Sequence, residues 1–386
     1  MAGRLKRGPW AQALIVLACA GLLASCMRAS AATWPAWEGF RSAFVSDDGR
    51  VVDHSQDDLR TVSEGQAYAL FFALVANDRP TFDRLLTWTE NNLSDGSLDR
   101  HLPAWHWGRK ADGQWGVIDP NSASDADLWM AYTLLEASRL WCHAPYAQKA
   151  QALGRLILDQ ETLEVDGLGL SLLPGRVGFV QASGQVKLNP SYVPGFQMAR
   201  LAQAWADEPR WARLYLGSQR LVLDTVFPNG VPDWVVVDKG VLGLPPDEAR
   251  GDYDAIRAYL WIGMTAPQDP VQAALLARLK PWAALVRQRG HMPEWFEPNG
   301  TGVAPNAGPA GFQVAVAPVL RQLGLVDLAK LLERQGLRRG DQATWRNYGY
   351  YNSALTLFAQ SHLEGLASFG PTGELKVKAL EGRRCE

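Results

Sequence analysis

TVSEGQAYALFFALVAND, Thr61–Asp78, sets an acid, Glu64, directly ahead of an apolar run. Ala67, Leu70, Phe71, Leu74 and Val75 recur at helical spacing and predict one buried helix face. Two roles compete for Glu64. Thr61-x-x-Glu64 fits a capping box, in which the acid reaches back to an unpaired N–H, and Ser63-x-x-Gln66 fits another. Alternatively, Glu64 is an acid that does chemistry. The segment alone favours capping, because acids are favoured in first turns.

The rest of the chain supplies the context. Helix starts are predicted near Trp34, Ser63, Thr81, Asp125, Tyr146, Pro194, Pro209, Tyr253, Pro270, Gly311, Val326 and Tyr350. Short turns such as Asn77–Pro80, Asp207–Pro209 and Pro267–Pro270 join neighbours into antiparallel hairpins. Six such pairs predict an all-α (α/α)6 barrel, with six parallel inner helices and six outer helices returning. Short β-strands are expected in the loops, Val235–Val237 foremost. From Thr33 onward no linker or low-complexity tract divides the chain, so 32–386 is read as a single domain with a short C-terminal tail.

The N-terminus reads as a targeting segment. Arg4, Lys6 and Arg7 precede an apolar run too short for a convincing membrane span. Ala29-Ser30-Ala31 suits ordinary signal-peptide cleavage, giving a leader over 1–31; Leu23-Ala24-Ser25-Cys26 resembles a lipoprotein box. Either way the mature chain is exported, to the periplasm or beyond, or to the outer membrane if Cys26 is lipidated. Cys142 and Cys385 then remain, paired or free.

Composition narrows the chemistry. A net charge of −2 without a basic stripe gives no footprint for nucleic acid. There is no CxxC, HExxH, Walker loop or GxSxG elbow, so no metal or cofactor is expected. The 16 Trp exceed what core packing asks for. Trp88, Trp129, Trp141, Trp205, Trp211 and Trp261 fall within helical patterns and are assigned to the core. Trp105, Trp107, Trp115 and Trp234 fall in loops, where flat indole faces suit sugar rings.

Acids also stand at the starts of two further helices, Asp125 in Asn121–Asp127 and Asp254 in Gly251–Asp254. Each could be an N-cap. All three helices open hairpins, however, so in the barrel their N-termini share one face. Arg257 lies one turn after Asp254. Carboxylates around an aromatic-lined cleft are what glycosidic cleavage requires. A helix N-terminus lowers a carboxyl pKa, whereas a general acid needs it raised, so burial or a second carboxylate must outweigh the dipole.

ASDADLWMAYTLLEASRLW, Ala123–Trp141, resembles the signature of family 8 glycoside hydrolases, with Thr133 where Ser or Ala is usual. The Thr61–Leu93 segment, LPAWHWG, LNPSYVP, YDAIRAYLWIGM and YYNSALTLF resemble family segments in the same order. TWPAWEGF fits the subgroup found with bacterial cellulose synthases. The resemblance implies an (α/α)6 barrel and an inverting endo-β-1,4-glucanase acting on cellulose. It implies Glu64 as general acid, able to occupy a capping position while its carboxyl group faces the cleft, Asp254 as general base and Asp125 as the residue holding the sugar. It also implies Arg257, Tyr192 and Tyr351 beside the reacting sugar and Trp107 as a stacking platform. A monomer is expected, working alongside a cellulose synthase complex. Two rivals remain: a family member acting on chitosan, xylan or mixed-linkage glucan, and a non-catalytic glucan-binding factor, for which an acid and base pair has no use.

Overall fold

The computed structural model describes residues 34–382 together with Cys385. The leader 1–31, with Cys19 and Cys26, lies outside the described residues. Helix α1 (Pro35–Phe44) is followed by the two-residue strand β1 (Thr61–Val62), which runs straight into α2 (Ser63–Val75). Every residue of α2 from Gly65 to Val75 is buried, not one face of it. Such all-round burial marks a helix enclosed by others.

The turn after α2 has the predicted chemistry. Asp78 accepts a hydrogen bond from Thr81 N, and Pro80 opens α3 (Arg79–Leu93). The pattern repeats with α4 (Ser124–Trp141) and α5 (Ala144–Gln160), then α6 (Gly195–Ala204) and α7 (Pro209–Asp224). Helix α8 (Ala255–Met264) is backed by α9 (Gln272–Arg278) and α10 (Lys280–Arg289). Next come α11 (Ala310–Ala315), α12 (Ala317–Gln322), α13 (Val326–Glu333), α14 (Gln342–Tyr348) and α15 (Tyr350–Leu363). Helices α2, α4, α6, α8, α11 with α12, and α15 form the inner ring. Successive members touch, α6 reaching α8 through the 3-10 turn Pro190–Tyr192, and α15 closes on α2. Helix α1 packs outside α15 and completes the sixth pair.

Two predicted helices are each split in two. Pro281 opens α10 and Pro318 opens α12, because proline removes the N–H that a continuous helix needs. Helix α14 was not foreseen; Asp341 caps it by accepting from Thr344 N. The strands are also more numerous than expected. Among the described residues, ten short ones form four antiparallel sheets: β1–β3, with β2 (His106–Arg109) and β3 (Trp115–Asp119); β4 (Thr162–Val165) with β5 (Gly169–Leu172); β6 (Val186–Leu188), β7 (Val235–Asp238) and β8 (Val241–Gly243); and β9 (Ala367–Phe369) with β10 (Leu375–Val377). The expected strand at Val235–Val237 is part of β7.

The barrel interior is aromatic. Tyr68, Phe71, Trp129, Trp261 and Phe358 come from four inner helices, with Phe358 4.8 Å from both Tyr68 and Trp129 and 4.9 Å from Trp261. All six tryptophans assigned to the core are buried.

The C-terminal hairpin β9–β10 adds Phe369, stacked 3.8 Å from Phe196. Gly373 makes its turn at φ +78°, where a Cβ would lie 1.8 Å from Phe196 O. Tyr132 Oη donates to Gly373 O at 2.8 Å, and the buried Glu136 accepts from Leu375 N at 2.9 Å and Arg200 Nε at 2.6 Å. Cys142, just beyond α4, is joined to Cys385 by a disulfide. Because the two cysteines are 243 positions apart, the bond closes a very long loop in the unfolded chain. Reduction, or Cys142→Ser, should cost about 2–5 kcal/mol of stability. Thermal unfolding with and without reductant measures this, and the far-ultraviolet circular dichroism at 25 °C should stay unchanged.

Candidate active site

None of the three acids caps its helix. At α2, Thr61 belongs to β1, where Thr61 pairs with Trp107 and Val62 with His106. Thr61 Oγ1 donates to Val51 O at 2.6 Å and accepts from Arg50 Nε at 2.8 Å. Gln66 is equally occupied: its Oε1 accepts from Val51 N at 2.6 Å and its Nε2 donates to Thr89 Oγ1 at 3.0 Å. Both predicted capping boxes are therefore absent, because their members hold the 49–51 and 85–89 backbone and side chains together. Ser63 N instead donates to Trp105 O at 3.0 Å.

At α4, no side chain caps the first turn; Asp125 Oδ1 accepts only from the adjacent Ala126 N, at 2.8 Å. At α8, Asp254 stands in the cap position but has helical φ/ψ and makes no capping bond. Asp233 does that work. Its Oδ1 accepts from Asp252 N at 2.9 Å, Asp254 N at 3.0 Å and Ala255 N at 2.6 Å. The carboxylate of Asp254 is left free.

The freed acids meet on Arg257, whose side chain is 6% exposed. Nη2 donates to Asp254 Oδ1 at 2.5 Å and Nη1 to Glu64 Oε2 at 3.4 Å, and Asp125 Oδ2 lies 4.0 Å from Nη2. Ser191 Oγ, on the 3-10 turn, accepts from Nη2 at 3.1 Å, and Tyr351 Oη from Nη1 at 3.1 Å. The turn stands just ahead of α6 in the chain. Trp261 Nε1 fixes the turn by donating to Ser191 O at 3.0 Å. Tyr351 Oη in turn donates to Tyr253 O, and Tyr350 Oη donates to Glu64 Oε1 at 3.0 Å.

Burial would lower the Arg257 pKa, but Tyr351, Asp254, Tyr68 and Glu64 outweigh it and hold the guanidinium charged. Burial raises the Glu64 carboxyl pKa; Arg257 and the Tyr350 hydrogen bond pull it back only in part. Burial likewise pushes Asp125 up to about 7, against Arg257 and with Glu64 adding to the rise. The dipole of the helix start does not win. Access is uneven: side-chain exposure is 26% for Asp254, 17% for Glu64 and 6% for Asp125.

The remaining predicted residues flank this cluster. Tyr192 is half-buried, its ring 5.7 Å from the Arg257 guanidinium and 6.1 Å from Trp234, which stacks with Phe179. Trp107 lies next to the start of α2 but is not a bare platform. Arg50 covers it at 4.4 Å, Trp115 stacks on it at 5.4 Å, and Trp88 meets it edge-on. Trp115 is the more exposed ring of this stack. Asp233, Ser191 and Tyr350 were missed as site residues. Ser191 and Tyr350 stand in quoted family segments next to predicted residues, whereas Asp233 lies 21 residues ahead of Asp254 with no local pattern to reveal it. Among the described residues no group of three or more His, Cys, Asp or Glu is placed to hold a metal ion.

Known proteins share this architecture. Residues 13–365 match the family described as Glycosyl hydrolases family 8. An endoglucanase of Escherichia coli O157:H7 is 42% identical over 356 residues, 92% of this chain and 94% of that one. An endoglucanase of Xanthomonas axonopodis pv. citri (strain 306) is 42% identical over 343 residues, 89% and 88% of the two chains. The crystal structure of an endo-1,4-D-glucanase from Vibrio fischeri ES114 superposes with a TM-score of 0.83 at 40% identity, over 89% of this chain and 99% of that one. With the acids of three inner helices gathered on one arginine and this extent of similarity, the chain belongs to glycosyl hydrolase family 8.

Proposed function

We propose that this glycoside hydrolase is an endo-β-1,4-glucanase that cleaves internal bonds of cellulose by single displacement. One observation carries the mechanism: Glu64 and Asp254 bind different nitrogens of one guanidinium, so a whole planar cation stands between two carboxyl groups of unlike environment. Inverting sites need the two carboxyls about 6.5–9.5 Å apart, leaving room for a water. Glu64, pushed towards its protonated form, gives its proton to the leaving oxygen. Asp254, the most exposed of the three, takes a proton from the water attacking the opposite face of the sugar. Asp125 holds the sugar at the cleavage point, and Tyr192 and Tyr351 border that sugar and the water. Arg257 orients Asp254 and stabilises the carboxylate that Glu64 becomes. The Trp107–Trp115 stack and Trp234 offer apolar faces to neighbouring sugars. The three relatives named above are all called endoglucanases or glucanases, which supports the substrate.

The proposed setting is the periplasm. The basic and apolar leader supports export, and the Cys142–Cys385 disulfide suits an oxidising compartment. There the enzyme trims nascent or misassembled cellulose as it leaves a synthase. Deleting it from a cellulose-making bacterium should alter cellulose yield or chain order; no change in either would remove this role.

Reducing ends released from carboxymethyl cellulose test the chemistry. Glu64→Gln and Asp254→Asn should each lose about 10²–10⁴-fold in kcat, and the first product should carry the α-anomer. Undiminished cleavage by Glu64→Gln, or a β-anomer, would sink the assignment. The pH profile tests Glu64 separately. Tyr350 donates to the Glu64 carboxyl and favours its ionised form. Tyr350→Phe should therefore raise the Glu64 pKa, keep it protonated to higher pH, and move the alkaline limb of kcat upwards by about one unit.

A further inference from the structure

Behind Asp125 lies a second group of acids that the mechanism above does not use. Asp127, two residues further into α4, and Glu161, just past the end of α5, are both fully buried. Their carboxyl groups are within hydrogen-bonding reach of each other. Ser122 Oγ donates to Glu161 Oε1 at 2.6 Å, but neither Asp127 oxygen nor Glu161 Oε2 has a donor among the described groups. Two carboxylates cannot face each other ionised in such a place; a proton between them satisfies one oxygen of each and removes the repulsion.

We propose that Asp127 and Glu161 form a buried carboxylic acid–carboxylate pair sharing one proton, and that this pair positions Asp125 by clamping the first turn of α4 to the end of α5. Asp125 and Asp127 stand two residues apart on that turn, so whatever fixes the second fixes the backbone carrying the first. The clamp extends further. Ser122 Oγ also accepts from Arg176 N at 3.2 Å, and Ser124 N donates to Pro174 O at 3.1 Å. Gly175 permits this approach, since a Cβ there would lie 2.4 Å from Ser122 O. The charged groups facing the pair are Asp125 from α4 and Arg176 from the adjoining loop. Burial, foremost, raises both acids, Glu161 to about 8, with Asp125 adding to the rise and Arg176 opposing it.

The sign of the pH dependence follows. Unfolded, both acids ionise near pH 4; folded, the pair keeps a proton to higher pH. Its contribution to stability is present in acid and is lost as pH rises towards about 8.

The inference rests on Asp125 having the role given it above, but two of its readouts need no cleavage. In the folded wild type at pH 6–7, infrared absorption of a protonated carboxyl should be present and should diminish in Glu161→Gln. The pH dependence of thermal unfolding should show one proton fewer released in Glu161→Gln, because the amide donates to Asp127 without titrating. For positioning, Asp127→Ala leaves Glu161 unpaired, and kcat on carboxymethyl cellulose should fall about 10²-fold with a smaller change in KM. Asp127→Asn restores a donor and should recover most of it. If Glu161→Gln does not fold, Asp127→Asn provides the infrared and unfolding readouts as well. Unchanged infrared and unfolding behaviour in the amide variants would overturn the shared proton. An Asp127→Asn variant as impaired as Asp127→Ala, while folded, would overturn the positioning role.

Discussion

A guanidinium buried among three acids is the constraint on which the rest of this structure depends. Taking Arg257 out of water is costly unless each of its donors finds an acceptor. Asp254, Glu64, Ser191 and Tyr351 supply acceptors to Nη1 and Nη2 from four separate elements, while Nε has no partner among the described groups. Each contact requires its element to begin at a set height and rotation. The six-pair ring delivers this, because parallel inner helices bring their first turns to one end. Ahead of α6, the 3-10 turn Pro190–Tyr192 brings Ser191 to the arginine.

The helix starts show what this arrangement demands locally. An acid that caps its own helix is held ionised and committed to backbone N–H groups, so it is spent as a proton donor or base. Here the acids of the site are released from that task and other groups take it over. Asp233 satisfies the start of α8, Trp105 O receives Ser63 N at α2, and Pro174 O receives Ser124 N at α4. Glu64 stands in the first turn of α2, but its carboxyl group makes no capping bond and lies on Arg257 instead, although one sequence pattern fits both roles.

That ambiguity separates what the sequence made legible from what it did not. Hairpins were legible because their signals are local: a proline or capping acid within a few residues of an apolar periodicity, as at Asp78–Pro80. Arg257 was legible as an acid's neighbour one turn away. The breaks at Pro281 and Pro318 were locally encoded as well, but helical periodicity on both sides masked them. Asp233, the C-terminal hairpin under Phe196, and the covering of Trp107 by Arg50 depend on segments brought together only by the closed ring. No spacing rule reaches that far. The pairing of Cys142 with Cys385 is of the same kind: two cysteines allow it, and only the docked tail brings them together.

One cation among three acids also fixes the protonation of the site. With Glu64, Asp125 and Asp254 all ionised, a largely buried cluster would carry two uncompensated negative charges. Releasing the last of these protons is therefore resisted, and burial concentrates the resistance on Glu64 and Asp125. In the mechanism proposed above, the proton for the leaving oxygen is thus held by the cluster and not by Glu64 in isolation. In that proposed single displacement, Arg257 is already in place to receive the new charge when Glu64 gives up its proton, and Asp254 gains one from water in the same event. The cluster's net charge is the same before and after cleavage. A low-dielectric site can therefore run acid and base chemistry side by side without a change in charge, provided the arginine does not move.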